Sequence, residues 1–190
     1  MEQYLEILGT IVGLVYLYLE YKADIWLWLA SIIMPAIYLV VFYGAGLYAD
    51  TAINIYYLAV ALYGWIAWGK KGEGKTLNIT RTTARGWGAM VVLYLAGQLI
   101  FTLLLMHCTD SDIPLANGAT AALSIVAMWM LAQKKIEQWI VWIVVDILSA
   151  ALYAYKGLYL TAVLYGVYAV VAVAGYLKWK ELMNRQNAKQ

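Results

Sequence analysis

Asp146 lies at the centre of an apolar stretch, 137–155, where a carboxylate costs about 2.5–3.5 kcal/mol on an insertion scale. Acids placed so deep face a bundle interior or a wet cavity and mark a pathway. At helical spacings of three and four, Trp139, Trp142, Asp146, Ser149 and Tyr153 share one face. An acid flanked by aromatic rings suits a desolvated organic cation, through charge pairing and cation–π contact. The competing arrangement is a protonated Asp146 hydrogen-bonded to a neighbouring helix, which would make it packing.

Other chemistries are missing from the chain. No phosphate-binding glycine loop is present, so ATP drive within this chain is not expected. The single Cys108 excludes an internal disulfide and a multi-cysteine metal site. His107 beside it has no partner ligands and reads as a solvated loop residue. No nucleophile–base constellation appears, and the last apolar stretch carries no central lysine for a retinal Schiff base. The expectation is therefore a binding protein with no cofactor and no metal, not an enzyme. Its partners are a small molecule and the lipid bilayer, with no nucleic acid.

The elements that must hold Asp146 follow from composition. Of the 190 residues 65% are hydrophobic and 13% charged, against roughly 25% charged in soluble domains. That much apolar side chain requires lipid cover. Tyr (17) and Trp (9) far outnumber Phe (2), as suits interfacial belts or a ring-lined cavity. Backbone groups in hydrocarbon must be satisfied within the segment, so the apolar runs read as helices. Seven spans are placed at 4–21, 25–43, 50–69, 86–106, 117–133, 137–155 and 158–178. With the 70–85 loop inside, twelve of the thirteen Lys and Arg lie on the cytoplasmic side and only Lys156 lies outside, as the positive-inside rule requires. The acidic loop residues Asp50, Asp110 and Asp112 fall outside. No basic segment precedes the first run, so no cleavable signal is expected. The protein is read as multi-pass in the inner membrane, N-terminus outside and C-terminus cytoplasmic.

Sliding the chain by 111 residues aligns Gly46-Leu47-Tyr48 with Gly157-Leu158-Tyr159. The ungapped run continues through Tyr57 with Tyr168, Val60 with Val171, Ala61 with Ala172, Gly64 with Gly175 and Trp68 with Trp179. This makes 8 identities over the 23 positions from 46 to 68, and upstream Trp28 meets Trp139. The expected architecture is an all-α integral membrane protein with a 3+1+3 parallel repeat, SWEET-like. It divides into a first three-helix bundle (1–69), a cytoplasmic loop plus linker helix (70–116), a second bundle (117–180) and a cytoplasmic tail (181–190). Parallel repeats of this kind occur in transporters, with substrate held near mid-membrane at the repeat interface.

The repeat extends the list of candidates. Asp146 is matched by Pro35, on a face with Trp28, Ser31, Tyr38 and Phe42; a mid-helix proline permits a kink, serving as a hinge or as packing. Asn54 and Tyr57 share a face on the third span, where Tyr165 and Tyr168 stand on the seventh. A membrane amide is as often interhelical glue as a ligand contact. Glu20, near the cytoplasmic end of the first span, either contacts substrate or snorkels to the interface. Gln98, Asn117, Ser124 and Gln138 read as glue or caps. The substrate-binding set is thus Asp146, Trp139, Trp142, Asn54, Tyr57, Ser149, Tyr168 and Glu20, with Pro35 as the hinge.

The stretch Leu123-Ser124-Ile125-Val126-Ala127-Met128, then Glu137-Gln138-Trp139-Ile140-Val141-Trp142-Ile143-Val144-Val145-Asp146, resembles the PnuC family of vitamin transporters. Gly9-Thr10-Ile11-Val12-Gly13 and Tyr63-Gly64-Trp65-Ile66-Ala67-Trp68 look like that family too. The resemblance implies facilitated diffusion of a B vitamin or its precursor, trapped inside by a separate phosphorylating enzyme, and a tendency to trimerise. Nicotinamide riboside members carry an Asn after the paired tryptophans, where this chain has Asp146. They also carry an Asn in the second helix, which the stretch Ser31 to Tyr38 lacks. On those positions the chain is more similar to the thiamine branch, PnuT, with nicotinamide riboside as the alternative substrate.

Overall fold

The structure, a computed structural model, describes residues 13–44, 48–69, 77–108 and 112–188. The start of the first expected span (4–12), the loop cations Lys70, Lys71 and Lys75, Asp110 and the terminal Lys189 lie outside these residues. So do the side chains of Tyr38, Phe42 and Asp50.

The described residues form seven helices: α1 (13–21), α2 (Leu27–Gly44), α3 (Tyr48–Gly69), α4 (Ala84–Cys108), α5 (Pro114–Ala132), α6 (Gln138–Tyr155) and α7 (Tyr159–Asn187). The four from α4 to α7 hold 25, 19, 18 and 29 residues and are apolar enough to cross a membrane. At about 1.5 Å per residue, even the shortest spans about 27 Å, close to the roughly 30 Å of hydrocarbon. The chain divides into two units, Met1–Asn78 and Ile79–Gln190. In the first, α2 packs on α3; in the second, α4 packs on α5, α5 on α6 and α6 on α7.

Each unit contains the same helix-ending turn. After α1, Ala23 takes a left-handed φ of 53°; after α5, Lys134 takes 52°. Ala23 N–H donates to Glu20 C=O at 2.9 Å, and Asp24 N–H to Leu19 C=O at 2.9 Å; Lys134 N–H donates to Leu131 C=O at 2.8 Å, and Lys135 N–H to Met130 C=O at 2.9 Å. These pairs are the two bonds of a Schellman motif, which satisfies carbonyls left open at a helix end. The spacing between the two copies is the 111 residues of the sequence repeat.

The joint beyond each turn is also repeated. Trp28 of α2 meets Trp68 of α3 edge to face at 5.4 Å and 90°; Trp139 of α6 meets Trp179 of α7 at 5.8 Å and 86°. Gly64 and Gly175 supply the room. A methyl group at Gly175 would come within 2.6 Å of the Trp139 ring, and one at Gly64 would collide with the Trp28 ring. In both units a glycine lets one helix backbone approach an indole ring closely.

The second unit adds a strap. Thr80 donates its N–H to Lys134 C=O at 3.1 Å and accepts Ile136 N–H at 3.1 Å. Its hydroxyl oxygen accepts from Lys135 Nζ at 2.9 Å. Thr82 donates both N–H and hydroxyl to Glu137 Oε2, each at 2.9 Å, and Ile79 N–H donates to Gln186 Oε1 at 3.0 Å. The 79–82 segment thereby ties the start of α4 to the α5–α6 turn and to the end of α7.

Three expectations are corrected. Glu20 does not reach the surface: it is 2% exposed, because the Schellman turn folds the chain back beside it. His107 and Cys108 form the last turn of α4, not a loop; the apolar run ending at Met106 carries the helix two residues on. Beyond 178, α7 continues to Asn187, held by ion pairs from Glu181 to Lys178 at 3.0 Å and to Arg185, so the expected tail is mostly helical.

Candidate substrate site

In the second unit α6 carries the candidate residues, and its apolar side decides their orientation. Val141 and Val145 join Met90, Val126, Ala127 and Met130 in a core with α4 and α5. Trp142 lies against this core. Trp139 is fully buried and turned onto α7, with its Cε3–Cζ3–Cη2 edge towards Gly175. Between these contacts lie Asp146, 6% exposed, and Ser149, also buried.

Asp146 has no cationic partner among the described residues. A buried carboxylate without one is expensive unless something mobile supplies the charge. Around it stand phenols. Tyr165 lies within electrostatic reach of Asp146 and of Tyr153. It stacks on Tyr153 at 5.2 Å and 21°, and meets Tyr168 edge to face at 5.8 Å. Aromatic faces present their negative quadrupole to a cation. One turn beyond Ser149, a cavity of about 70 Å³ is lined by Asn117, Thr120, Ser149, Leu152, Tyr153 and Lys156. That volume admits water, not a vitamin ring.

The first unit gathers a different set. Glu20 and Ser31 lie within hydrogen-bond reach of the Tyr16 hydroxyl and Tyr57 within electrostatic reach, and Ser31 Oγ donates to Leu27 C=O at 3.0 Å. Asn54 is half-buried on α3, and α2 runs on through Pro35. The structure thus brings Glu20 and Tyr57 each within reach of Tyr16, and Asp146 within reach of Tyr165. The candidate set omitted Tyr165, which lies within electrostatic reach of Asp146, and Tyr153, which stacks on Tyr165. The spacing of Tyr153 from Asp146 on one face of α6 already signalled Tyr153; only the α6–α7 packing brings in Tyr165.

Gln138 is the residue the sequence misjudged. As glue or a cap its amide would be bonded; instead it is 0% exposed, with neither Oε1 nor Nε2 partnered. The indole N–H groups of Trp28, Trp139 and Trp142 are likewise buried without partners.

Long apolar helices with a buried carboxylate beside aromatic side chains point to a multi-pass membrane protein. The sequence comparisons make the class specific. Residues 3–181 match the family described as "Nicotinamide mononucleotide transporter", and the chain belongs to it. It is 23% identical to the "Nicotinamide riboside transporter PnuC" of Escherichia coli, over 93% of this chain and 84% of that protein. With the protein of the same name from Neisseria mucosa it shares 26%, over 99% and 76%. With the "Riboflavin/roseoflavin transporter RibM" of Streptomyces davaonensis it shares 27%, over 92% and 83%. A solved structure described as "Crystal structure of the Vitamin B3 transporter PnuC" superimposes with a TM-score of 0.66 at 28% identity, covering 92% of this chain and 80% of that one. The family is one of vitamin transporters, not enzymes.

Proposed function

We propose that this protein carries nicotinamide riboside across the inner membrane by facilitated diffusion. The observation that carries the reading is the buried, cation-free Asp146 within a chain whose relatives include nicotinamide riboside transporters. The pyridinium of that nucleoside is a delocalised cation. Its ring would pair with Asp146 and lie among Trp139, Trp142, Tyr165 and Tyr168, with Ser149 alongside. Within the first unit, Glu20, Asn54 and Tyr57 are proposed as substrate-binding residues and Pro35 as a hinge. Opposite charges attract strongly away from water, but desolvation consumes much of that gain, so binding is firm and still reversible.

Thiamine is the second reading, favoured by Asp146 where nicotinamide riboside members carry Asn, since its thiazolium is also a cation. The 3+1+3 SWEET-like arrangement with a cytoplasmic C-terminus is supported by the repeated turns, the repeated tryptophan joints and the distribution of basic residues. It would divide as bundles at 1–69 and 117–180, with a linker region at 70–116 and the cytoplasmic end at 181–190. Capture inside would fall to a cytoplasmic vitamin kinase, and assembly as a homotrimer is part of the same proposal.

The test is equilibrium titration of nicotinamide riboside, thiamine and riboflavin into purified protein, followed by counterflow in sealed, de-energised liposomes. Preferred binding of nicotinamide riboside and counterflow without a gradient are expected. Tighter binding of thiamine would move the assignment to the second reading, and a strict need for a proton or sodium gradient would overturn uniport.

A further inference from the structure

Gln138 opens α6, fully buried, with a carbonyl and two amide N–H groups that bond to nothing among the described residues. The fold does not require an amide there. The residue 111 positions earlier is Leu27, which opens α2, is also 0% exposed, and follows the same turn. Leu27 N–H bonds to Asp24 C=O at 3.3 Å and Gln138 N–H to Lys135 C=O at 3.2 Å. One structural position thus takes an apolar side chain in the first unit and a partnerless amide in the second. Buried polar groups without partners are rare in proteins and call for an explanation.

Gln138 is not alone. Within the same five residues the indole N–H groups of Trp139 and Trp142 are buried and unpartnered. The edge of Trp139 nearest Gly175 is the one away from Nε1, so α7 packing does not use its N–H. These three side chains together offer four N–H bonds, two amide and two indole, against one carbonyl oxygen. A donor-rich set of this kind suits hydroxyl groups, each of which brings two acceptor lone pairs and one proton. On α6, Gln138, Trp142 and Asp146 follow at intervals of four, one stripe along the helix. Eight residues separate Gln138 from Asp146, about 12 Å along the axis, the length of a nucleoside rather than of a single ring.

We propose that Gln138, with the indole N–H groups of Trp139 and Trp142, is a hydroxyl-recognition station that holds the sugar part of the transported vitamin while Asp146 holds its cationic ring. Selection for a hydroxylated tail then resides at the start of α6, separate from selection for charge. The assignment rests on the transport reading above and adds the chemical class that Gln138 recognises.

The test uses full-length protein in detergent, titrated with nicotinamide riboside and with 1-methylnicotinamide, which keeps the cationic ring and lacks the sugar. Gln138→Leu copies the first unit's residue. It should leave the ligand-free melting temperature equal or higher, because an unbonded buried amide is replaced by an apolar group. Affinity for nicotinamide riboside should fall about 10- to 30-fold, the loss of one or two hydrogen bonds, with affinity for 1-methylnicotinamide unchanged. Gln138→Asn, which retracts the amide by one methylene, should give an intermediate loss for the riboside alone. Equal riboside affinity in wild type and Gln138→Leu would overturn the station and leave the transport reading standing. A marked drop in ligand-free melting temperature, with both ligands weakened alike, would make Gln138 structural and overturn it too. Wild-type protein binding neither probe would instead sink nicotinamide riboside transport itself.

Discussion

Trp28 against Gly64 and Trp68 in the first unit, and Trp139 against Gly175 and Trp179 in the second, are one joint built twice. The preceding turns agree down to a left-handed residue within 1° and matching backbone bonds. Along the helix that leaves each joint, the chemistry diverges. In α2 the stripe reads Leu27, Ser31, Pro35; in α6 it reads Gln138, Trp142, Asp146. The two copies share the residues that set helix geometry and differ along the stripe where the ligand contacts are proposed. Two identical charged halves would place like carboxylates in one protein at a desolvation cost for each. An acid at position 146, with Pro35 at the matching position of the repeat, avoids a like pair there.

The largest expected effect breaks the asymmetry at its centre. Asp146→Asn should weaken the vitamin by roughly 10- to 150-fold, about 1.5–3 kcal/mol for a charge-assisted contact, while the protein stays folded. Pro35→Leu at the matching position should leave affinity within roughly threefold, about 0.7 kcal/mol, and alter the transport rate. Titration of both variants decides this; unchanged affinity in Asp146→Asn with a lowered melting temperature would make the aspartate packing.

Next in size are the glycines. Gly64→Ala and Gly175→Ala should each destabilise by about 1–3 kcal/mol through overpacking against an indole, read by thermal melting. Only Gly175→Ala should also lower affinity, because Trp139 lies one turn from Trp142 and two from Asp146. Equal affinity losses from both would erase the functional difference between the joints.

Ala23→Gly probes the turn. Glycine removes the left-handed penalty and loses some chain entropy in exchange, a net stabilisation of roughly 0.5–1 kcal/mol. A lower melting temperature would show that the alanine methyl makes packing contacts worth more than the strain.

The smallest effect lies past the membrane-spanning part of α7. There the hydrogen bond from Lys178, and then the charge of Arg185, hold the Glu181 carboxyl below its ordinary 4.5. A depressed acid contributes its stability above the unfolded value and loses it as pH falls through the lowered one. Wild type should therefore melt slightly higher than Glu181→Gln at pH 6, with the gap closing towards pH 3. A gap that persists at pH 3 would mean the contact is packing and not charge.

Spans, repeat and central carboxylate were legible because each leaves a one-dimensional trace: an apolar run, an offset of 111, a charge amid hydrocarbon. Helix limits moved where a local pattern was weak, as at Met106-His107-Cys108, or where exposed pairs such as Glu181 with Lys178 and Arg185 extend a helix beyond lipid. Glu20 illustrates a different failure. A glutamate near a helix end reads as surface-seeking, but a turn that reverses the chain buries it.

The burial of Asp146 was predictable from its own type and place, since no fold makes a carboxylate cheap in lipid. Membership of an all-helical membrane class followed from hydropathy alone. Whether Trp139 binds Gly175 through its far edge, which phenols stand near Asp146, and whether Gln138 finds a partner depended on interhelical packing. Those are contacts between residues tens of positions apart, set by how ridges and small residues of facing helices meet. An amide looks the same in sequence whether it is bonded or bare; only its neighbours in space distinguish the two.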